Sequence, residues 1–429
     1  MRAAIVLALM TLVTCDYKDH LNQFLHEFEE LSKEHVYLEH VTNFTAITAM
    51  RVYVRIELEN KIFHASLKPH VELFHPDLVV KNSNGQSSIN IQEYLEGNLV
   101  DDPNSRVLVH IKDGVVTGTI QTSDLEKFFI EPSHRHVKEP HDFHMIVYKL
   151  SHVKFNFSNP DEESGHFCGH DSHAGEQGFS KDDFEFMLPK NDDYLEDGFE
   201  YTRKKRETET KNRCPLALVG DYKFFKEVND GEEANAINYM ISLIQHIDPL
   251  YRRQSLDPSK SEAYKNYGFS IRHIEVVTSP DEDDDTSSYK YYGDQGHNRG
   301  VSELLKSFAY GDWTTKYCLG HLFTNYDFSG GVLGLAYVAS PSPSRVGGIC
   351  TKTYRDSTGR NKHLNVGLTT VQNYGRTLLT SEIVFVTGKL LKGAGGSEVD
   401  FQFFCCSYRG EWQLPNLHIL KIFWRVYIS

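Results

Sequence analysis

The chain has 429 residues, 40% of them hydrophobic and 24% charged, with a formal net charge of −14 at pH 7. That length accommodates roughly two or three domains and that apolar fraction supplies a core, which excludes global disorder. The acidic balance excludes nucleic acid as a partner, because phosphate binding needs clustered Lys and Arg.

The opening, MRAAIVLALMTLVTC, carries one Arg, an apolar run from Ala3 to Val13 and then polar Asp16. That order predicts a secretory signal peptide over residues 1–15, cleaved near Cys15. No later apolar run reaches membrane-spanning length, since Lys421 and Arg425 interrupt the greasy C-terminal stretch. The chain is therefore expected in the secretory pathway, secreted or retained in the endoplasmic reticulum, with no membrane span. Sequons at Asn43 and Asn156 are compatible with glycosylation on that route. Of seven cysteines, Cys168, Cys214, Cys318, Cys350, Cys405 and Cys406 lie beyond the signal, and some pairing is expected in an oxidising compartment.

Residues 46–150 read as β-rich. Met50–Leu58 alternates apolar and charged residues, as a strand with one buried face does. Asn84-Gly85 and Asp113-Gly114 each sit between apolar stretches and predict hairpins. An antiparallel sandwich or barrel-like unit follows from this pattern. Residues 159–213 change to a polar, Gly-rich and acidic composition, read as an extended exposed segment. It ends in Arg203, Lys204, Lys205 and Arg206. In an acidic, secreted chain, this run in an accessible linker is a processing site for a furin-like convertase.

From Cys214 the pattern becomes α/β. PLALVG (215–220) is a strand, and Ile237, Met240, Ile241, Ile244, Ile247 and Tyr251 recur at helical spacing, predicting an amphipathic helix over residues 232–251. Phe269–Val277 is a strand, the acidic run 281–285 a solvated loop, and Val301–Tyr310 a helix. Tyr317–Thr324 and Val332–Val338 complete the strands. Alternation of this kind predicts a mixed sheet with covering helices. His166, Cys168, His170 and His173 superficially suggest a metal site of their own. They lack a Glu after the first His, and Gly169 disfavours the helix such a site needs.

Several motifs in order carry a family resemblance: R-K-K-R (203–206), K-N-R-C-P-L (211–216), Y-C-L-G-H-L-F-T (317–324), D-F-S-G-G-V-L-G-L-A-Y-V (327–338), G-G-I-C (347–350) and L-N-V-G-L-T-T-V-Q-N-Y-G (364–375). Together they resemble the ADAM metalloproteases, in the subgroup that holds tumour-necrosis-factor-α converting enzyme and the Kuzbanian-like proteases. F-F-I-E-P (128–132) is similar to the prodomain of that subgroup. The resemblance implies a β-rich prodomain over 16–206, followed over 207–387 by the upper part of an α/β metzincin catalytic domain. It implies that Cys168 ligates the zinc of the zymogen, where a thiolate occupies the position that water needs. It implies that Val332, Leu333 and Gly334 lie on the edge strand that binds extended peptide substrates through backbone hydrogen bonds. It implies a Cys214–Cys318 disulfide. Cys350 has no family partner in this chain and is either unpaired or joined to Cys405 or Cys406.

The resemblance stops at Thr387. A zincin needs two His one helical turn apart with a Glu between them as general base. The chain reads Gly388-Lys389-Leu390-Leu391-Lys392 there instead, and it contains no H-E-x-x-H. Residues 388–429 form a non-family tail. Full-length relatives bind zinc and cleave cell-surface proteins; for this chain no zinc, no catalytic residue and no proteolysis are expected. The alternative is a non-enzymatic regulator, whose prodomain inhibits or chaperones an intact protease.

Overall fold

The computed structural model describes residues 17–41, 51–137, 140–154, 213–253, 266–280, 289–290, 300–311, 317–328, 334–337, 353–371, 391–392 and 398–399. Helix α1 (Tyr17–Phe24) is followed by β1 (Glu29–Leu31), β2 (Val36–Val41), β3 (Arg51–Glu57), β4 (Ile62–Pro69), β5 (Phe74–Asn82), β6 (Gly85–Ser87), β7 (Tyr94–Leu99), β8 (Arg106–Lys112), β9 (Val115–Gln121), β10 (Lys127–Pro132) and β11 (Met145–Lys149). Next come β12 (Arg213–Gly220), α2 (Glu233–Arg253), β13 (Gly268–Val276), α3 (Val301–Ala309), β14 (Leu319–Thr324), β15 (Gly334–Ala336), β16 (Tyr354–Arg355), β17 (Asn361–Lys362) and β18 (Val366–Thr370). In the tail, β19 (Leu391–Lys392) pairs with β20 (Glu398–Val399).

The first sheet has nine antiparallel strands in the order β1-β11-β10-β9-β8-β7-β4-β3-β2. Its alternation is the one read from sequence: Val52, Val54 and Ile56 of β3 point inward, between exposed Arg51 and Arg55. The sheet curls on itself. Leu31 of β1 shares one apolar core with Val52 and Val54 of β3, although the two strands stand near opposite ends of the sheet order. Glu59 N–H donates to Glu29 Oε1 at 2.7 Å and ties the same two ends together. At the β8–β9 hairpin, Asp113 and Gly114 both adopt positive φ, 52° and 81°, the type I′ geometry that matches strand twist.

The second sheet has seven strands in the order β15-β18-β14-β12-β13-β5-β6. Strands β5, β13, β12, β14 and β18 run parallel to one another, and β6 and β15 are antiparallel at the two edges. The inner strands β14 and β18 are buried along their whole length, as strands covered on both faces must be, with His321, Thr324, Thr369 and Thr370 enclosed among apolar residues. Along β12, Leu216 and Leu218 pack under α2, whereas Ala217 and Val219 pack under α3. This is the mixed sheet with covering helices that the alternation of elements predicts.

Two expectations need correcting. The β5–β6 hairpin was assigned by sequence to the first unit, yet β5 pairs in parallel with β13, Val80 opposite Ile274, and so belongs to the second sheet. Its two turn residues are Ser83 and Asn84, not Asn84 and Gly85. The Asn82 side chain accepts from Asn84 N–H at 2.8 Å, which closes the turn one residue early and leaves Gly85 (φ 134°) opening the return strand. The second correction concerns α2. An amphipathic helix implies a solvent face, but every described side chain from Ala236 to Pro249 is buried. The first sheet covers the polar face, as its strands β8 and β9 lie against it.

Cys214 on β12 and Cys318, just before β14, are joined across these neighbouring strands, with 5.3 Å between their Cα atoms. The bond closes a loop spanning 104 residues of sequence. Restricting so long a loop in the unfolded chain is worth about 3–5 kcal/mol in the chain-entropy account. The double substitution Cys214→Ser/Cys318→Ser should lower unfolding free energy by that amount in urea titrations, with little change in the far-ultraviolet circular dichroism of the folded state.

Candidate functional site

Strand β15 is the terminal strand of the second sheet, with Gly334 opposite Thr369 and Ala336 opposite Gly367 on β18. An edge strand presents backbone donors and acceptors on its outer side, which an extended peptide can pair with irrespective of its sequence. Gly334 is the described member of the three residues assigned to substrate. Val332 and Leu333 lie outside the described residues, as do Cys168, Arg203, Lys204, Lys205, Arg206, Cys350, Asn43 and Asn156.

Polar chemistry also gathers where β12 and β14 end. Asp221 follows β12, is buried, and accepts Phe224 N–H at 2.8 Å, starting the turn of wide helix over Phe224–Val228. Glu227 on that turn accepts from Asn325 at 2.8 Å and pairs with Lys223 at 2.7 Å. The network fastens the β12 and β14 ends to each other. Burial pushes the Asp221 carboxyl up to about 7, against the Thr324 hydroxyl and the Phe224 N–H.

A catalytic zinc needs three protein donors converging at about 2.0–2.3 Å. The described histidines of the second unit do not converge. His273 on β13 and His321 on β14 stand on opposite sides of β12, about 9.5 Å apart by strand spacing alone. His321 Nε2 lies 2.7 Å from Thr369 Oγ1, His273 Nε2 lies 3.5 Å from Glu275, His363 Nδ1 lies 3.5 Å from Thr353 Oγ1, and His246 Nε2 lies 3.4 Å from Leu108 O. Among the described residues no three His, Cys, Asp or Glu side chains gather to hold a metal ion. These residues therefore do not fit the zinc that the family resemblance implies.

The group that sequence reading missed is the polar stripe of α2. Asn238, Ser242, Gln245 and His246 recur at helical spacing, and all four are buried against the first sheet. Gln245 donates to Leu95 O at 2.8 Å, Asn238 to Thr117 Oγ1 at 3.4 Å, and the Arg135 guanidinium stacks over the Tyr239 ring at 4.6 Å. Beside the stripe, burial pushes His70 and His110 down to about 3, and burial does the same to His321 inside the second sheet. The signal was present as a polar spacing, but sequence alone reads such a spacing as a solvated face.

Residues 210–380 match the model of metallo-peptidase family M12. The human disintegrin and metalloproteinase domain-containing protein 10 is 29% identical over 367 residues, covering 84% of this chain and 47% of that protein. The Caenorhabditis elegans homologue of protein 10 is 26% identical over 424 residues, covering 85% of this chain and 43% of its own length. The homologue of protein 17 from the same organism is 25% identical over 361 residues, covering 81% and 49%. The chain thus spans about half the length of the relatives it matches. Among the described residues, no helix is long and apolar enough to cross a membrane.

The buried acid and the buried histidines give opposite pH dependences. A histidine held neutral in the fold, with an ordinary pKa near 6.5 when unfolded, loses stability for the protein as pH falls below that value. A carboxyl held up to about 7 has its stabilising, protonated form below about 4 and loses that contribution as pH rises through 7. Asp221→Asn keeps the acceptor for Phe224 N–H and removes the buried charge. It should raise stability at pH 8 by about 2–4 kcal/mol and leave it nearly unchanged at pH 4, read by urea unfolding at both values.

Proposed function

The chain belongs to the ADAM metalloproteases, in the group of the protein-10 and protein-17 relatives, and from that premise we propose that it carries a protease precursor's prodomain and peptide-binding sheet without the metal that hydrolyses peptide bonds. The observation that carries this reading is the junction between fold and sequence. The order β13-β12-β14-β18-β15 leaves β15 terminal among the described strands, which supports peptide pairing there, while the 429 residues contain no H-E-x-x-H to hold a zinc. Val332, Leu333 and Gly334 pair with the main chain of an extended segment of a cell-surface protein, the substrate class of a sheddase. Residues 1–15 direct the chain to the secretory pathway, a furin-like convertase cuts after Arg206, and Cys168 is the zymogen's zinc ligand in forms that have zinc. Full-length relatives are membrane-anchored and use zinc-activated water with a Glu as general base.

A second reading, a regulator acting through residues 16–206 on an intact protease, is favoured by one observation. The first sheet meets the polar side chains of α2 with acceptors of its own, Leu95 O for Gln245 and Thr117 Oγ1 for Asn238, which it would carry to any helix presenting the same donors.

The test is zinc content by mass spectrometry beside cleavage of an extended-peptide panel, on secreted protein cut after Arg206. The expected result is no bound zinc and no chelator-sensitive cleavage. Stoichiometric zinc with cleavage abolished by a chelator would overturn the reading.

A further inference from the structure

The edge of the second sheet opposite β15 is occupied by a hairpin that neither sheet requires. Strands β4 and β7 flank the hairpin in sequence and pair directly with each other, Ala65 opposite Leu99 and Pro69 opposite Leu95. Removing β5 and β6 therefore leaves the first sheet without a gap. The order β13-β12-β14-β18-β15 is equally complete without them. The hairpin is an excursion of one unit onto the edge of another.

Its contacts are of the kind that fix a register. Val80 lies opposite Ile274 and enters the core under α2 together with Phe74. Asp77 accepts from Arg272 at 2.8 Å, and Lys81 meets Glu275 at 3.0 Å. Ser83 Oγ accepts from Thr278 N–H at 2.9 Å and Ser279 N–H at 3.1 Å, which continues the ladder past the end of β13. Asn82 donates to Glu233 at 2.7 Å at the start of α2. Burial would raise the Glu275 carboxyl, but hydrogen bonds from His273, Lys290 and Lys81 outweigh it and hold the group well below the usual carboxylate range. Across the α2 stripe Gln245 bonds Leu95 O at 2.8 Å, and the Asn238–Thr117 and His246–Leu108 contacts are longer, at 3.4 Å.

We propose that the outer edge of β13 is a strand-acceptor site whose occupant is the β5–β6 hairpin, and that this added strand holds the N-terminal unit in place after the chain is cut between the units. The mode is β-augmentation: backbone pairing supplies affinity, and the Asp77–Arg272 and Lys81–Glu275 pairs supply register. The proposal rests on reading 16–206 and 207–387 as separable units, and it is independent of which protease cuts them.

The test uses the full chain with residues 203–206 replaced by the recognition sequence of a site-specific protease. Cys168→Ser is included, because Cys168 is the one cysteine between the signal peptide and the cut. After complete cleavage, confirmed on a denaturing gel, the two pieces should elute together in size-exclusion chromatography and sediment as one complex on dilution. Asp77→Arg should weaken the complex roughly tenfold or more, and Asp77→Arg/Arg272→Asp should restore it. Val80→Pro removes a backbone donor from β5 and should release the pieces altogether. If that variant is not secreted, the charge reversal and its rescue decide the matter, since Asp77 is exposed. Separation of the unsubstituted pieces on cutting would overturn the proposal. So would undiminished association of Asp77→Arg, which would place the docking on the α2 face. Inhibition of an active relative plays no part in this readout, so the regulator reading stands or falls separately.

Discussion

The structure depends on a helix that is buried on every side from Ala236 to Pro249. Along α2, Ile237, Met240, Ile241, Ile244 and Ile247 enter the apolar core over β12 and β13, while Asn238, Ser242, Gln245 and His246 are buried against the first sheet. Leaving one buried polar group unpaired costs about 1–3 kcal/mol, so a polar stripe can be covered only where partners meet it. Leu95 O, Leu108 O and Thr117 Oγ1 are those partners, and they sit on consecutive strands of the first sheet. Gln245 Oε1 has no hydrogen-bond partner among the described residues, which marks this cover as less completely satisfied than the apolar side. A cover of this kind suits a surface that is occupied in one state of a protein and solvated in another.

That constraint arranges the two edges of the second sheet. Strand β15, the edge proposed to accept peptide, and the hairpin-bearing strand β13 lie at opposite ends of the order β13-β12-β14-β18-β15, about 19 Å apart at ordinary strand spacing. The strand contact of the N-terminal unit is therefore remote from the edge proposed to receive substrate. The two edges differ in sense: β15 lies antiparallel to its neighbour β18, whereas β5 joins β13 in parallel.

Local features were legible in the sequence wherever a single element determined its own shape. The alternation in β3 and the Asp113-Gly114 turn need no tertiary information, since period and positive φ are written in the residues. The apolar spacing of α2 and the family motifs around Cys214 and Cys318 were equally plain. What could not be read was partnership. The β5–β6 hairpin has the same local signature whichever sheet it joins, and only the edge of β13, far away in sequence, decides the matter. Asn238 and Gln245 look like solvent residues until a second sheet covers them. Asp221 carried no motif at all; its raised pKa is a product of burial between the ends of β12 and β14.

Thiol accessibility tests directly whether α2 is enclosed by the first sheet through its polar stripe. Ser242→Cys places a near-isosteric thiol on a fully buried position of that stripe, and Ala234→Cys places one on an exposed turn of the same helix. Labelling with a water-soluble thiol reagent, mapped by peptide mass spectrometry, should modify the cysteine at 234 rapidly and leave that at 242 unmodified in the intact chain. Comparable rates at the two positions would show that the polar face meets solvent, and would contradict the account.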